Sequence, residues 1–163
     1  MRGLPLQLTR LILTDCKIAG GIDLTALPSA LEVLVLSSNK LSEEVCLSML
    51  NPSLRHLDLS QNKLTGAIDL TQLPSSLQEL YLHENNFRGS VDLTHLPANL
   101  QIIYLRDNPL VKGSFDNCGS IETPFPQNLR VIDVRGTFVT GYPMHCPPHL
   151  DIRNQQEGLE VSM

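Results

Sequence analysis

The strongest constraint on this chain is a unit written twice in succession. Residues 54–76 read LRHLDLSQNKLTGAIDLTQLPSS, and residues 77–99 read LQELYLHENNFRGSVDLTHLPAN. Each has 23 residues and the form L-x-x-L-x-L-x-x-N-x-(L/F)-x-G-x-(I/V)-D-L-T-x-L-P-x-x. Apolar residues recurring at a fixed period of this size predict a stacked solenoid, not a closed globule.

Aligned on L-x-x-L-x-L, six units begin at Leu8, Leu31, Leu54, Leu77, Leu100 and Leu129; the first four span 23 residues and the fifth 29. The L-x-L piece alternates with the period of a strand. Leu11/Leu13, Leu34/Leu36, Leu57/Leu59, Leu80/Leu82, Ile103/Leu105 and Ile132/Val134 are therefore expected to point into the stack. Successive strands should lie parallel, about 4.8 Å apart. The second half of each unit is then the crossover that parallel pairing needs.

Composition narrows the function classes. Aromatics make up 4% of the chain and tryptophan is absent, so the core must be stacked Leu, Ile and Val. A net charge of −5 argues against a partner held by phosphate neutralisation, so no nucleic acid is expected. Every apolar run is broken within a few positions, so no membrane insertion is expected either. Arg10 interrupts the apolar stretch near the N-terminus, which does not read as a signal peptide. Leu4-Pro5-Leu6-Gln7 matches the L-P-x-x that closes a unit, so the chain is expected to start inside a repeat, as a fragment of a longer protein would. No Asn lies in an N-x-[ST] sequon, which leans toward the cytoplasm without fixing a compartment.

The repeated motif resembles the leucine-rich repeat family over nearly the whole chain. That resemblance implies a right-handed α/β-type solenoid of six units over residues 1–153, followed by a polar tail at 154–163. A parallel sheet would line the concave face, with short strands, turns and one short helix on the convex side. The repeats resemble the plant-type subgroup, which carries G-x-I-P where these units have G-x-(I/V)-D. The G-x-(I/V)-D-L-T-x-L-P version is similar to repeats of protozoan proteins. The ninth position reads Cys16, Asn39, Asn62, Asn85, Asn108, Thr137. The resemblance implies that this side chain lies inside the coil and bonds to loop backbone, which an amide suits because it both donates and accepts.

Local signals fill in the rest. Gly20, Gly66, Gly89 and Gly141 share the thirteenth position and predict a turn with positive φ. Ile22-Asp23-Leu24, Ile68-Asp69-Leu70 and Val91-Asp92-Leu93 then alternate like a second short strand, with Thr25, Thr71 and Thr94 opening a capped turn. In the second unit Ser42-EEVCLSML predicts a short helix, with Ser42 as N-cap and Val45, Met49 and Leu50 on one face. The fifth unit carries an insertion between Lys112 and Asn128, after which Phe125-Pro126 restores the closing pattern. Cys16 is expected to be a buried thiol and Cys46 to pack in the helix. Cys118 and Cys146 fall at similar heights on successive coils, where a disulfide would clamp the C-terminal end, although cysteine count alone does not fix pairing.

Residues flanking the inward leucines should form one outward surface. Its fifth-position column reads Ile12, Val35, Asp58, Tyr81, Tyr104, Asp133; the third reads Arg10, Val33, His56, Glu79, Ile102, Val131; the seventh reads Thr14, Ser37, Ser60, His83, Arg106, Arg135. Two of the three tyrosines thus become neighbours beside His83 and Arg106, with His56, Asp58, Asp133 and Arg135 around them. Tyr and Arg dominate interface hot spots, which predicts a site for a protein or peptide partner. Tyrosines paired merely as cross-strand packing partners are the structural alternative. A small-ligand or glycan module and a structural spacer are the functional ones. Ile12, Val33 and Val35 form an apolar patch near a bare sheet edge, which suggests self-association there. His145-Cys146-Pro147-Pro148-His149 with Cys118 offers zinc-type ligands in a spacing that fits no standard finger, and reads better as a closing turn. No nucleophile with a base and no phosphate-cradling loop accompanies these residues, so neither an enzyme nor a cofactor is expected.

Overall fold

The structure, a computed structural model, describes residues 4–154 except 117, 121, 123, 142 and 144. In chain order its strands are β1 (Arg10–Ile12), β2 (Ala19–Gly20), β3 (Val33–Val35), β4 (Lys40–Leu41), β5 (His56–Asp58), β6 (Glu79–Tyr81), β7 (Arg88–Val91), β8 (Ile102–Tyr104), β9 (Leu110–Ser114), β10 (Val131–Asp133), β11 (Phe138–Thr140) and β12 (Asp151–Arg153). Seven of them form one parallel sheet in the order β1-β3-β5-β6-β8-β10-β12, which lines the concave side of the solenoid. Its register follows the repeat: Leu34 pairs with Leu57, Leu57 with Leu80, and Leu80 with Ile103. All four are fully buried. Leu11 and Leu13, on the edge strand β1 among the described residues, are only partly buried.

The interior asparagines tie each coil to the one before it. Asn62 Oδ1 accepts the Leu41 N–H at 3.0 Å, while Nδ2 donates to the carbonyls of Leu36, Leu59 and Ser60 at 3.0, 3.1 and 3.0 Å. Asn85 and Asn108 repeat the pattern one and two coils on. Thr137 only bridges backbone of its own coil, from the Val139 N–H to the Val134 carbonyl. Cys16 is exposed, with its Sγ on the Thr14 carbonyl, so the expected buried thiol is corrected.

Two turn devices recur at every coil. The eighth position has positive φ in Asp15, Ser38, Gln61, Glu84, Asp107 and Gly136, between 51° and 71°. The second is a closing turn in which the N–H of the leading Leu reaches back three residues, as from Leu77 to the Pro74 carbonyl and from Leu129 to Pro126. The same bond joins Leu150 to Pro147 and launches β12, a seventh strand beyond the six expected. Pro147-Pro148-His149-Leu150 is therefore one more closing turn.

The convex side departs from expectation in two places. The Ile-Asp-Leu stretches are not whole strands; the convex pairing sits just ahead of them, in β2-β4 and in β7-β9-β11. Asp23 instead caps a 3-10 turn at Leu24–Ala26, accepting from the Thr25 N–H and hydroxyl, and Asp69 and Asp92 do the same for Thr71 and Thr94. The short helix expected after Ser42 is absent: Glu44 forms a parallel bridge with Thr65, and Glu43 stands at φ 75° in the thirteenth position, where four other coils use Gly. Eight residues form a marginal helix on their own, and the ladder from the next coil outcompetes it. Val45 and Leu47 are buried, whereas Met49 is exposed and Cys46 lies at the surface beside the Ser48 hydroxyl.

The insertion in the fifth coil buries Phe115, Cys118 and Phe125. All four cysteines are free, and burial pushes the Cys118 thiol up to about 11. Of the polar tail at 154–163, all but Asn154 lies outside the described residues. Among the described residues no helix is long and apolar enough to cross a membrane.

Candidate functional site

Strand alternation with leucines inside leaves the third, fifth and seventh positions of each coil on the concave face. Because the strands pair in register, the fifth-position residues stand shoulder to shoulder: Asp58 is opposite Tyr81, Tyr81 opposite Tyr104, and Tyr104 opposite Asp133. The two tyrosine rings meet edge to face at 80°, with centroids 5.3 Å apart. His83 lies against both, 6.3 Å from Tyr81 and 5.8 Å from Tyr104, and His56 approaches Tyr81 at 5.4 Å. Four rings from three successive coils thus form one half-buried aromatic shelf.

Polar groups hold the shelf in place. Glu79 Oε2 accepts from His56 Nδ1 at 2.8 Å and from the Tyr81 hydroxyl at 3.2 Å. Burial, and then the Glu79 carboxylate, push the Tyr81 phenol far above its ordinary range, so it stays a donor. Burial and the Arg106 guanidinium push His83 below its ordinary value, so its ring is neutral near pH 7. His83 Nδ1 is buried and has no hydrogen-bond partner among the described residues. Arg106 is held by Glu84 at 2.8 Å and Asp107 at 2.6 Å. Asp58 Oδ1 accepts from the Ser60 N–H at 2.9 Å and from its hydroxyl at 2.6 Å.

The structure brings Tyr81, Tyr104, His83, His56 and Asp58 together, with Arg106 at their border. Asp133 and Arg135 form a separate pair, in which Nε and Nη2 of Arg135 donate to the two carboxylate oxygens at 3.0 and 2.6 Å. The Asp133 carboxylate is fully buried, so a guest would meet it only through Arg135. Glu79 was absent from the expected site, although it shares a column with His56; a carboxylate beside a histidine one period away was the available signal. Arg153 was missed with the strand that carries it. It sits opposite Asp133 and pairs with Asp151 at 2.7 Å. Among the described residues, no group of three or more His, Cys, Asp or Glu is placed to hold a metal ion.

Comparison with known proteins places this architecture. A family profile described as leucine-rich repeats in two copies matches residues 52–98. A solved chain from the BIR3–SERK2 complex of Arabidopsis thaliana is 30% identical, with 82% of this chain covering 70% of that one at a TM-score of 0.59. Pollen Receptor Kinase 3 superposes at a TM-score of 0.74 over 95% of this chain and 79% of that one, and at 19% identity it speaks for the fold alone. The plant peptide hormone receptor RGFR1, solved in complex with RGF2, is 26% identical, with 76% of this chain covering 20% of that one at a TM-score of 0.60. A comparison with curated protein sequences gave no match. Stacked coils, asparagine ladder and matched relatives agree: the chain belongs to the leucine-rich repeat family.

Proposed function

We propose that the chain is a protein- or peptide-binding module that works through its concave sheet face. The observation that carries this reading is the shelf of Tyr81 and Tyr104 over His83, whose buried Nδ1 has no hydrogen-bond partner among the described residues. Aromatic rings bring large contact area at low entropic cost, and an unpaired buried acceptor or donor gains when a guest supplies its complement. Among the matched structures, BIR3 and SERK2 form a complex and RGFR1 is bound to RGF2, which supports a macromolecular partner here. Tyr81, Tyr104, His83 and Arg106 form the proposed centre, with His56 and Asp58 on one side. Asp133 and Arg135 form the other border.

Affinity capture from a lysate of the source organism, comparing the wild type with the Tyr81→Ala/Tyr104→Ala variant, tests this. Partners recovered by the wild type should be lost by a folded double variant. Capture at wild-type strength would move the site off the concave face. A partner that survives removal of all protein from the lysate would favour a small ligand or glycan. Self-association through the β1 edge, where Leu6 and Ile12 are exposed, is a separate proposal, read from concentration dependence in sedimentation.

A further inference from the structure

The concave shelf is not electrically neutral, and its charge names a class of guest. Asp58 stands opposite Tyr81 on the neighbouring strand, Glu79 lies two residues before Tyr81 on its own strand, and Glu84 follows His83. Of the nearby histidines, His56 meets Glu79 through one oxygen, Oε2, and His83 is kept neutral. The Arg106 guanidinium, beside His83, is already shared between Glu84 and Asp107. Arg55 lies 3.8 Å from Glu32 on the outer rim. Among the described residues, no donor reaches Glu79 Oε1 or Asp58 Oδ2, while the other oxygen of each is occupied. Glu79 keeps about a third of its side-chain surface exposed, at 34%.

Two open carboxylate oxygens on residues next to Tyr81, which meets Tyr104 edge to face, and a neutral imidazole beside both rings match one ligand chemistry. Resting on the concave-site reading above, we infer that the shelf binds the cationic side chain of a lysine or arginine in an extended segment of a partner protein. A cation over a tyrosine face gains from the ring quadrupole, and Glu79 and Asp58 supply charged acceptors at its border. An anionic guest would meet three carboxylates and one guanidinium already engaged. The whole chain, at −5, steers basic partners toward it and repels acidic ones. A peptide suits the surface better than a bare polyamine because the face continues into Val35, Val33 and Ile12, two to three strands from Tyr81. That is about 10–15 Å at the usual strand spacing, a span of three or four extended residues.

Selection from a displayed random-peptide library on the folded wild-type protein tests the inference. The selected peptides should share one Lys or Arg, and replacing that residue by Gln should weaken binding at least tenfold. Asp58→Asn/Glu79→Gln, which retains acceptor oxygens, should weaken binding by a similar factor, and raising salt should weaken it further for the wild type than for this variant. A melting curve matching the wild type shows that the variant is folded. Peptides that require Tyr81 and Tyr104 but carry no basic residue, or that ignore the Asn/Gln variant, would overturn the charge argument and leave the concave site standing. Peptides indifferent to Tyr81→Ala/Tyr104→Ala, or a selection yielding none, would overturn both. Spermine competing as tightly as the selected peptide would overturn the peptide as occupant.

Discussion

The ninth position of the coil is Asn four times running, whereas the fifth, four residues earlier, runs Ile12, Val35, Asp58, Tyr81, Tyr104, Asp133. Both columns descend the same stack at the same period. One faces inward, where every coil offers the same amide and carbonyls and only one side chain satisfies them all. The other faces outward, where the backbone makes no demand. Repetition therefore marks what holds the solenoid together, and its failure marks what each coil is free to do.

The sharpest way to break that contrast is Asn62→Leu. It orphans the Leu41 N–H and removes a donor from the Leu36, Leu59 and Ser60 carbonyls. At roughly 1–3 kcal/mol per unsatisfied group, the loss should reach about 3 kcal/mol or more. A thermal melt unchanged within a degree would mean the ladder is not what joins the coils. Tyr81→Ala/Tyr104→Ala should do the opposite, eliminating partner capture in a chain that still folds, at a stability cost of the half-buried ring area plus about 0.5–1.5 kcal/mol for the pair's own contact. If that variant unfolds instead, the fifth column belongs with the ninth.

Glu43→Gly sharpens the comparison in the favourable direction. Glu43 holds φ 75° in a column where Gly20, Gly66, Gly89 and Gly141 hold 78° to 102°. Relief of left-handed strain, offset by the freer unfolded chain, should raise stability by about 0.5–1 kcal/mol in chemical denaturation. A loss would show that the Glu43 side chain, packed on Gly21, outweighs its backbone.

The smallest effect is a pH slope. Because the folded His83 pKa lies below the ordinary 6.5, the unfolded chain binds the proton first. Stability from this group is fully present above pH 6.5 and is lost as pH falls through the folded value. His83→Gln should flatten that part of the stability profile between neutral and mildly acid pH. An identical slope in both proteins would place the acid sensitivity elsewhere.

Much of this was legible in the text because a repeat states its own register. Inward leucines, the asparagine column, the thirteenth-position glycines and the adjacency of Tyr81 with Tyr104 all follow from a period and an alternation. The eighth-position turn was invisible, since Asp, Ser, Gln and Glu occupy a left-handed site that sequence reading assigns to Gly. The seventh strand was hidden by a shortened unit, although Pro147 and Leu150 repeat the closing turn.

By itself, the sequence determined that coils stack in one phase and which leucines point into the stack, because backbone periodicity is local. Only the tertiary structure decided that Ser42–Leu50 is no helix, since the deciding bonds come from Thr65 on the next coil. It alone decided that Asp133 is buried behind Arg135 and that Glu79 anchors both His56 and Tyr81. Those outcomes depend on side chains one or more coils apart competing for the same donors and the same space, which no local pattern records.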